Sequence, residues 1–151
     1  MSAERCYRAD MRRWWLGAGG NLGDVRATLT RATEALRAYA RDVQLSPLYT
    51  STPVGANAGE RFVNAAIGLS TDLAPLDLLD ACQALENECG RTRSVHWGPR
   101  TLDLDLLLTD DGLLVEHPRL TLPHPHFWYR RFVLEPLAEI APDVREPHLQ
   151  R

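Results

Sequence analysis

Asp103 and Asp105, separated by Leu104, stand in HWGPRTLDLDLLL (residues 96–108), inside a leucine run that reads as a buried strand. Alternate side chains of a strand share a face, so the two carboxylates lie roughly 7 Å apart on one side, with Leu102, Leu104 and Leu106 opposite. At a strand end emerging into water such a pair would cost little. The context points elsewhere: Arg100 lies just upstream, Arg91 and Arg93 sit on the preceding loop, and Glu86 marks an acidic helix end. Proteins hold magnesium with one or two carboxylates, completed by water and phosphate oxygens. Arginines neutralise polyphosphate through forked hydrogen bonds. A magnesium–nucleotide site accounts for both signs of charge together.

Other candidates are less specific. Asn64, within RFVNAAIGL, is an amide flanked by apolar residues, and such a group usually has a fixed partner, either backbone or a heterocycle edge. Trp97 and Phe132 suit core packing or a stacking platform for a flat ligand. His124 and His126 flank Pro125 without nearby acids, which favours His124 as a phosphate or base contact over a metal pair. GAGGNLGD (17–24) fails as a dinucleotide fingerprint, because Leu22 occupies the third glycine position; its glycines read as a tight turn with close backbone packing.

These residues must be positioned by a single domain spanning 1–151, with 1–11 as an extension ahead of the first strand. A chain of 151 residues with 44% hydrophobic content suits one core. RRWWLGAGG reads as a strand entering a glycine turn. GDVRATLTRATEALRAYA has helical spacing through Leu29, Ala32, Ala35, Leu36 and Tyr39, with Asp24 biasing the first turn. VQLSPLYTSTPVG reads as a strand breaking at Pro53 and Gly55, and RFVNAAIGLST as its antiparallel partner. LAPLDLLDACQALENECG is a second helix with Leu78, Leu79, Cys82 and Leu85 on its apolar face, begun near Pro75 and ended at Gly90. RTLDLDLLL follows as a strand. The order β-α-β-β-α-β is the ferredoxin-like α+β arrangement, with helices packed on an antiparallel sheet. The tail adds a short strand at GLLVEH, a loop at TLPHPHFWYRR and a structured segment around FVLEPLAEIAP.

Composition excludes several classes. The net charge of -3 and pI near 5.9 argue against a nucleic-acid or anionic-membrane surface. All 17 basic residues are arginine, which removes a Walker A lysine and Schiff-base chemistry. Cys6, Cys82 and Cys89 are odd in number and lack zinc-ligand spacing, as expected of reduced thiols in a cytoplasmic protein. No apolar signal core or bilayer-length segment is present in the sequence.

Taken together, LGAGGNLGD, SPLYTSTPVG, FVNAAIGLST, ALENECGRTR, HWGPRTLDLDLLL and LTLPHPHFWYRRFVLEPLAEIAP resemble, in order, the 6-hydroxymethyl-7,8-dihydropterin pyrophosphokinase family of folate biosynthesis. The resemblance implies transfer of diphosphate from ATP to the pterin hydroxymethyl group, giving AMP. It implies two Mg²⁺ ions on Asp103 and Asp105, with Arg91 and Arg100 stabilising the transferring group. Gln83, Glu86, Arg91, Arg93, Leu106, Arg119, Thr121, His124 and Arg130 fall where the family contacts ATP. Ser51, Val54, Phe62, Asn64, Trp97 and Phe132 fall where it holds the pterin, between Phe62 and Phe132. Asp105 is the nearest candidate base, but a metal-bound carboxylate is a poor one, so that role stays open. Gly19-Gly20-Asn21, Ser51 and Thr52 depart from the family's usual residues. RTRSVHWGP (91–99) is expected to act as a lid. The expected partners are small molecules only, with no nucleic acid or membrane, and the expected state is a monomer. The rival readings are a non-catalytic pterin- or nucleotide-binding domain and a metal-dependent phosphohydrolase.

Overall fold

A computed structural model of the chain describes residues 11–21, 24–51, 62–89, 102–126 and 131–141. The elements run β1 (Arg12–Gly20), α1 (Val25–Leu36), β2 (Arg41–Leu45), β3 (Tyr49–Ser51), β4 (Phe62–Thr71), α2 (Pro75–Glu88), β5 (Asp103–Thr109), β6 (Val115–His117), β7 (Leu120–Leu122) and α3 (Arg131–Ile140). Strands β2, β4, β1 and β5 lie side by side in that order, with β3 pairing the other half of β4, and every pairing is antiparallel. Counting β2 and β3 as one interrupted edge strand, this is the ferredoxin-like βαββαβ order.

Helix α1 starts where Asp24 accepts a hydrogen bond from the Ala27 amide at 3.1 Å, satisfying one of the unpaired first-turn donors. Val25, Leu29, Ala32 and Leu36 recur at helical spacing and are buried. The helix stops at Leu36, so Tyr39 lies in the following turn and is 48% exposed rather than on the buried stripe. Pro75 opens α2, where a missing N–H costs nothing, and Leu78, Leu79, Cys82 and Leu85 form its buried stripe as expected. Both helices pack with Trp14, Leu16, Ala18, Leu69, Leu102, Leu104 and Leu106 in the main core on one face of the sheet.

Three local features differ from the sequence reading. Gly17, Gly19 and Gly20 belong to β1 and not to a turn; what they provide is room, because a side chain on Gly19 would meet Asn64 Oδ1 and the Val63 carbonyl at 2.8 Å. The VQLSPLYTS edge is split at Ser46–Leu48. There the Ser46 amide donates to Ala66 O at 2.9 Å while Ser46 Oγ accepts from Ala66 N at 2.8 Å, and Pro47 has no amide hydrogen to continue the ladder. β7 lies in what read as loop, paired with β6 through Val115–Leu122 and His117–Leu120. The structured segment expected around FVLEPLAEIAP is helix α3, which covers the second face of the sheet, where Leu137 and Ala141 pack with Trp15, Ala66, Leu107 and Leu108.

Candidate active site

The register of the sheet decides which residues meet. Gly19 pairs with Asn64 on one side and Asp103 on the other; Gly17 pairs with Ala66 and Asp105. Directly opposed residues of antiparallel strands point to the same face. Asn64, Asp103 and Asp105 therefore share the face that α3 partly covers, and Phe62, two residues before Asn64, shares it too. Two strand spacings separate Asn64 from Asp103, about 10 Å. The distance is shortened from the Asn64 side, since its Oδ1 lies 2.8 Å from where a Gly19 side chain would begin. The amide leans across β1 toward the aspartates.

Strand β5 carries the acids and the edge of a cleft. Asp103 is half-buried and Asp105 exposed, while Leu102, Leu104 and Leu106 are buried on the opposite face, as alternation predicts. A bulge ends the alternation: Leu16 pairs Leu106 but Trp15 pairs Leu108, so Leu107 is inserted and Leu108, which strict alternation would turn to the main core, joins it in the α3-side cluster. At the outer edge of β5, Leu104, Asp105, Leu106, Arg119, Thr121 and His124 line a cleft of about 240 Å³, together with Leu79, Pro118, Leu120, Pro125 and His126. Four residues expected at ATP (Leu106, Arg119, Thr121 and His124) thus converge, and Asp105 stands at their border with the acidic face.

Gln83 and Glu86 approach the same edge from α2. Arg119 donates to Asp80 Oδ1 at 2.6 Å and to Gln83 Oε1 at 3.1 Å, which holds its guanidinium at the cleft. Glu86 is 5% exposed, and its Oε2 accepts from the Leu104 amide at 2.8 Å, so it grips β5 between the two aspartates. His124 donates its backbone N–H to Leu107 O at 2.7 Å, and its Nδ1 accepts from the His126 amide at 3.2 Å. In the neutral ring that leaves Nε2 as the proton-bearing nitrogen, suited to donate to a phosphate oxygen. Beneath this edge Cys82 is fully buried; its thiol is pushed up to about 12, by burial first and then by Glu86 and Asp105.

The donor set fits a hard cation. Among the described residues no group of three or more His, Cys, Asp and Glu assembles. Two neighbouring carboxylates opposite side-chain-free Gly17 and Gly19 are what a magnesium ion takes when water and substrate phosphate complete its shell.

Phe62 is 39% exposed, an aromatic surface at the start of β4 on the face of Asn64. Position 51 pairs with Phe62, and Phe132 lies in the first turn of α3. Val54, Arg91, Arg93, Trp97, Arg100 and Arg130, with the 91–99 segment, lie outside the described residues. Sequence reasoning missed Gly17 and Gly19 as the cross-strand partners of the aspartates. The signal was their alternation, G-A-G, which matches the period of a strand and not that of a turn. It also missed Asp80, whose role depends on Arg119 arriving from 39 residues away.

Residues 15–142 match the 7,8-dihydro-6-hydroxymethylpterin-pyrophosphokinase family. Curated relatives named 2-amino-4-hydroxy-6-hydroxymethyldihydropteridine pyrophosphokinase include one from Pseudomonas aeruginosa, 50% identical over 91% of this chain and 85% of its own length. Another, from Bacillus subtilis, is 41% identical over 87% of this chain and 80% of its own, and one from Methylorubrum extorquens is 44% identical over 89% and 85%. With the ferredoxin-like sheet and the acidic pair in place, these matches show that the chain belongs to the 7,8-dihydro-6-hydroxymethylpterin-pyrophosphokinase family.

Proposed function

We propose that the two substrates meet over β1, with ATP entering from the β5 edge and the pterin from the β3–β4 end. The reaction moves the terminal diphosphate of ATP to the hydroxymethyl oxygen of 6-hydroxymethyl-7,8-dihydropterin in folate biosynthesis and leaves AMP. The observation that carries this arrangement is the shared face of Phe62, Asn64, Asp103 and Asp105, with the Arg119–Thr121–His124 cleft adjoining Asp105.

Asp103 and Asp105 are the ligands for two Mg²⁺ ions. When bound, these ions would neutralise phosphate charge and orient the β-phosphorus for in-line attack. Arg119 and Nε2 of His124 hold phosphate oxygens; Gln83 steadies Arg119, and Glu86 fixes the backbone between the aspartates. Arg91 and Arg100 stabilise the transferring group, and Arg93 and Arg130 complete the ATP contacts. Asn64 reads the polar edge of the pterin, which stacks between Phe62 and Phe132, with Ser51, Val54 and Trp97 closing its pocket. Little covalent chemistry is asked of the protein, because positioning and charge neutralisation lower the barrier.

The chain works as one domain and as a monomer in the cytoplasm. Cys82 and Cys89 are free thiols, and among the described residues no helix is long and apolar enough to cross a membrane.

Separate calorimetric titrations test the division of the face. Asn64→Ala should weaken pterin binding about tenfold or more while sparing a non-hydrolysable ATP analogue, and Arg119→Ala should do the reverse. Equal losses of both ligands in both variants would remove the proposed arrangement.

A further inference from the structure

Tyr49 reaches the substrate face through the interruption of the edge strand. Leu45 pairs with Ile67 and Tyr49 with Asn64, so four residues of the edge span three of β4. Strict alternation from Leu45 would turn Tyr49 toward the α1–α2 core; the inserted residue turns it to the face of Asn64. There its hydroxyl donates to Glu139 Oε1 at 2.5 Å, across 90 residues of sequence.

Glu139 lies on α3 seven residues after Phe132, so the two positions fall on one stripe of the helix, about 10 Å apart along its axis. The apolar hold on this helix comes from buried Pro136, Leu137 and the following Ala141, with partly buried Val133, Leu134 and Ile140 packed around them; the Tyr49–Glu139 bond adds a polar hold toward β3. Pro136, without an N–H, cannot close the helical hydrogen bond to the carbonyl of Phe132. The first turn of α3 thus has one internal hydrogen bond fewer to the rest of the helix, and its seating rests on contacts with the sheet.

We propose that the Tyr49–Glu139 hydrogen bond is a positioning device for the pterin: it seats α3 over β3 and β4 and so sets how closely the helix overlies the Phe62–Asn64 end of the sheet. The inference rests on the assignment of Phe62, Asn64 and Phe132 to the pterin. Hydrogen bonding to Glu139 also raises the Tyr49 pKa, so the phenol keeps the proton it donates. The ATP cleft opens at the opposite edge, beyond β1 and β5, where this tether has no contact.

The test compares Tyr49→Phe, Glu139→Ala, Glu139→Gln and Tyr49→Phe/Glu139→Ala in the full chain. Pterin is titrated in the presence of a non-hydrolysable ATP analogue, and the analogue is titrated alone. Tyr49→Phe and Glu139→Ala should each weaken the pterin about three- to tenfold, raise its KM with kcat little changed, and leave the analogue within about twofold. Glu139→Gln keeps an acceptor and should recover most of the affinity. The double variant should be no worse than either single one, since both remove the same bond. Additive losses, equal losses for both ligands, or parental pterin affinity in both single variants would overturn the proposal. Asn64→Ala, run alongside, separates the two levels. If it also binds pterin like the parent, the pterin assignment fails and this inference with it; if Asn64→Ala alone loses pterin, only the tether fails.

Discussion

Asp103 and Asp105 occupy adjacent same-face positions on one strand but differ in exposure, half-buried against exposed, so they are not interchangeable. Replacing either by alanine should lower diphosphate transfer by about 100-fold or more, because uncompensated phosphate charge then faces the remaining carboxylate. The fold should persist, since neither side chain contributes to the buried clusters. Rates measured at saturating Mg²⁺ and near the parent's in either variant would end the ligand assignment. Cys82, buried on α2 beneath this edge, behaves oppositely to a reactive thiol: held protonated, it should resist alkylation at pH 8 in the native protein and react on unfolding. Peptide mass spectrometry after iodoacetamide treatment reads this directly, and native labelling of Cys82 would show that the helix opens.

Among the elements, α2 and β5 are joined by a buried carboxylate. Glu86→Ala would leave the Leu104 amide without that acceptor and should destabilise the protein by about 1–3 kcal/mol, whereas Glu86→Gln keeps an oxygen and should cost less. Gly19→Ala should likewise cost about 1–3 kcal/mol, because its new methyl carbon would lie 2.8 Å from Val63 O, an atom fixed by the β1–β4 ladder. Chemical denaturation gives both values, and a Gly19→Ala variant as stable as the parent would mean that the strands separate at no cost. These elements also show what periodicity can and cannot reveal. The stripes Leu29–Ala32–Leu36 and Leu78–Cys82–Leu85 were legible because each helix buries one face, and the aspartate pair was legible because β5 alternates up to Leu106. The insertions at Leu107 and between Leu45 and Tyr49 were not, because a bulge is fixed by the partner strand and leaves no mark on local alternation. The placing of α3 on the second face was equally hidden, since amphipathic spacing specifies a buried stripe but not the surface it meets. At the site, the lining of one cleft by Arg119, Thr121, His124 and Asp105 and the grip of Glu86 on the Leu104 backbone both depend on tertiary contacts that spacing does not encode.

Across the whole molecule, the sheet divides a core shared with α1 and α2 from a smaller cluster under α3, and Phe62, Asn64, Asp103 and Asp105 lie on the smaller side. Alkaline pH probes the larger core. The Cys82 thiol shifts from 9.0 to about 12, so between those values the native state binds the proton that the unfolded chain has lost. Stability contributed by this group is complete below about pH 9 and declines as pH rises toward 12. Cys82→Ala should therefore show a shallower loss of unfolding free energy across that window, whatever its offset from the cavity, and parallel curves for the two proteins would contradict the shift. The central claim, that one face of this sheet brings ATP and a pterin together for diphosphate transfer, is tested most directly by product stoichiometry. Purified protein is mixed with ATP, Mg²⁺ and 6-hydroxymethyl-7,8-dihydropterin, and the products are separated by chromatography. AMP and pterin diphosphate should appear in equal amounts, only when pterin is present, and fall to background in Asp105→Ala. Release of ADP, or of AMP and free diphosphate without pterin at the same rate, would contradict the account.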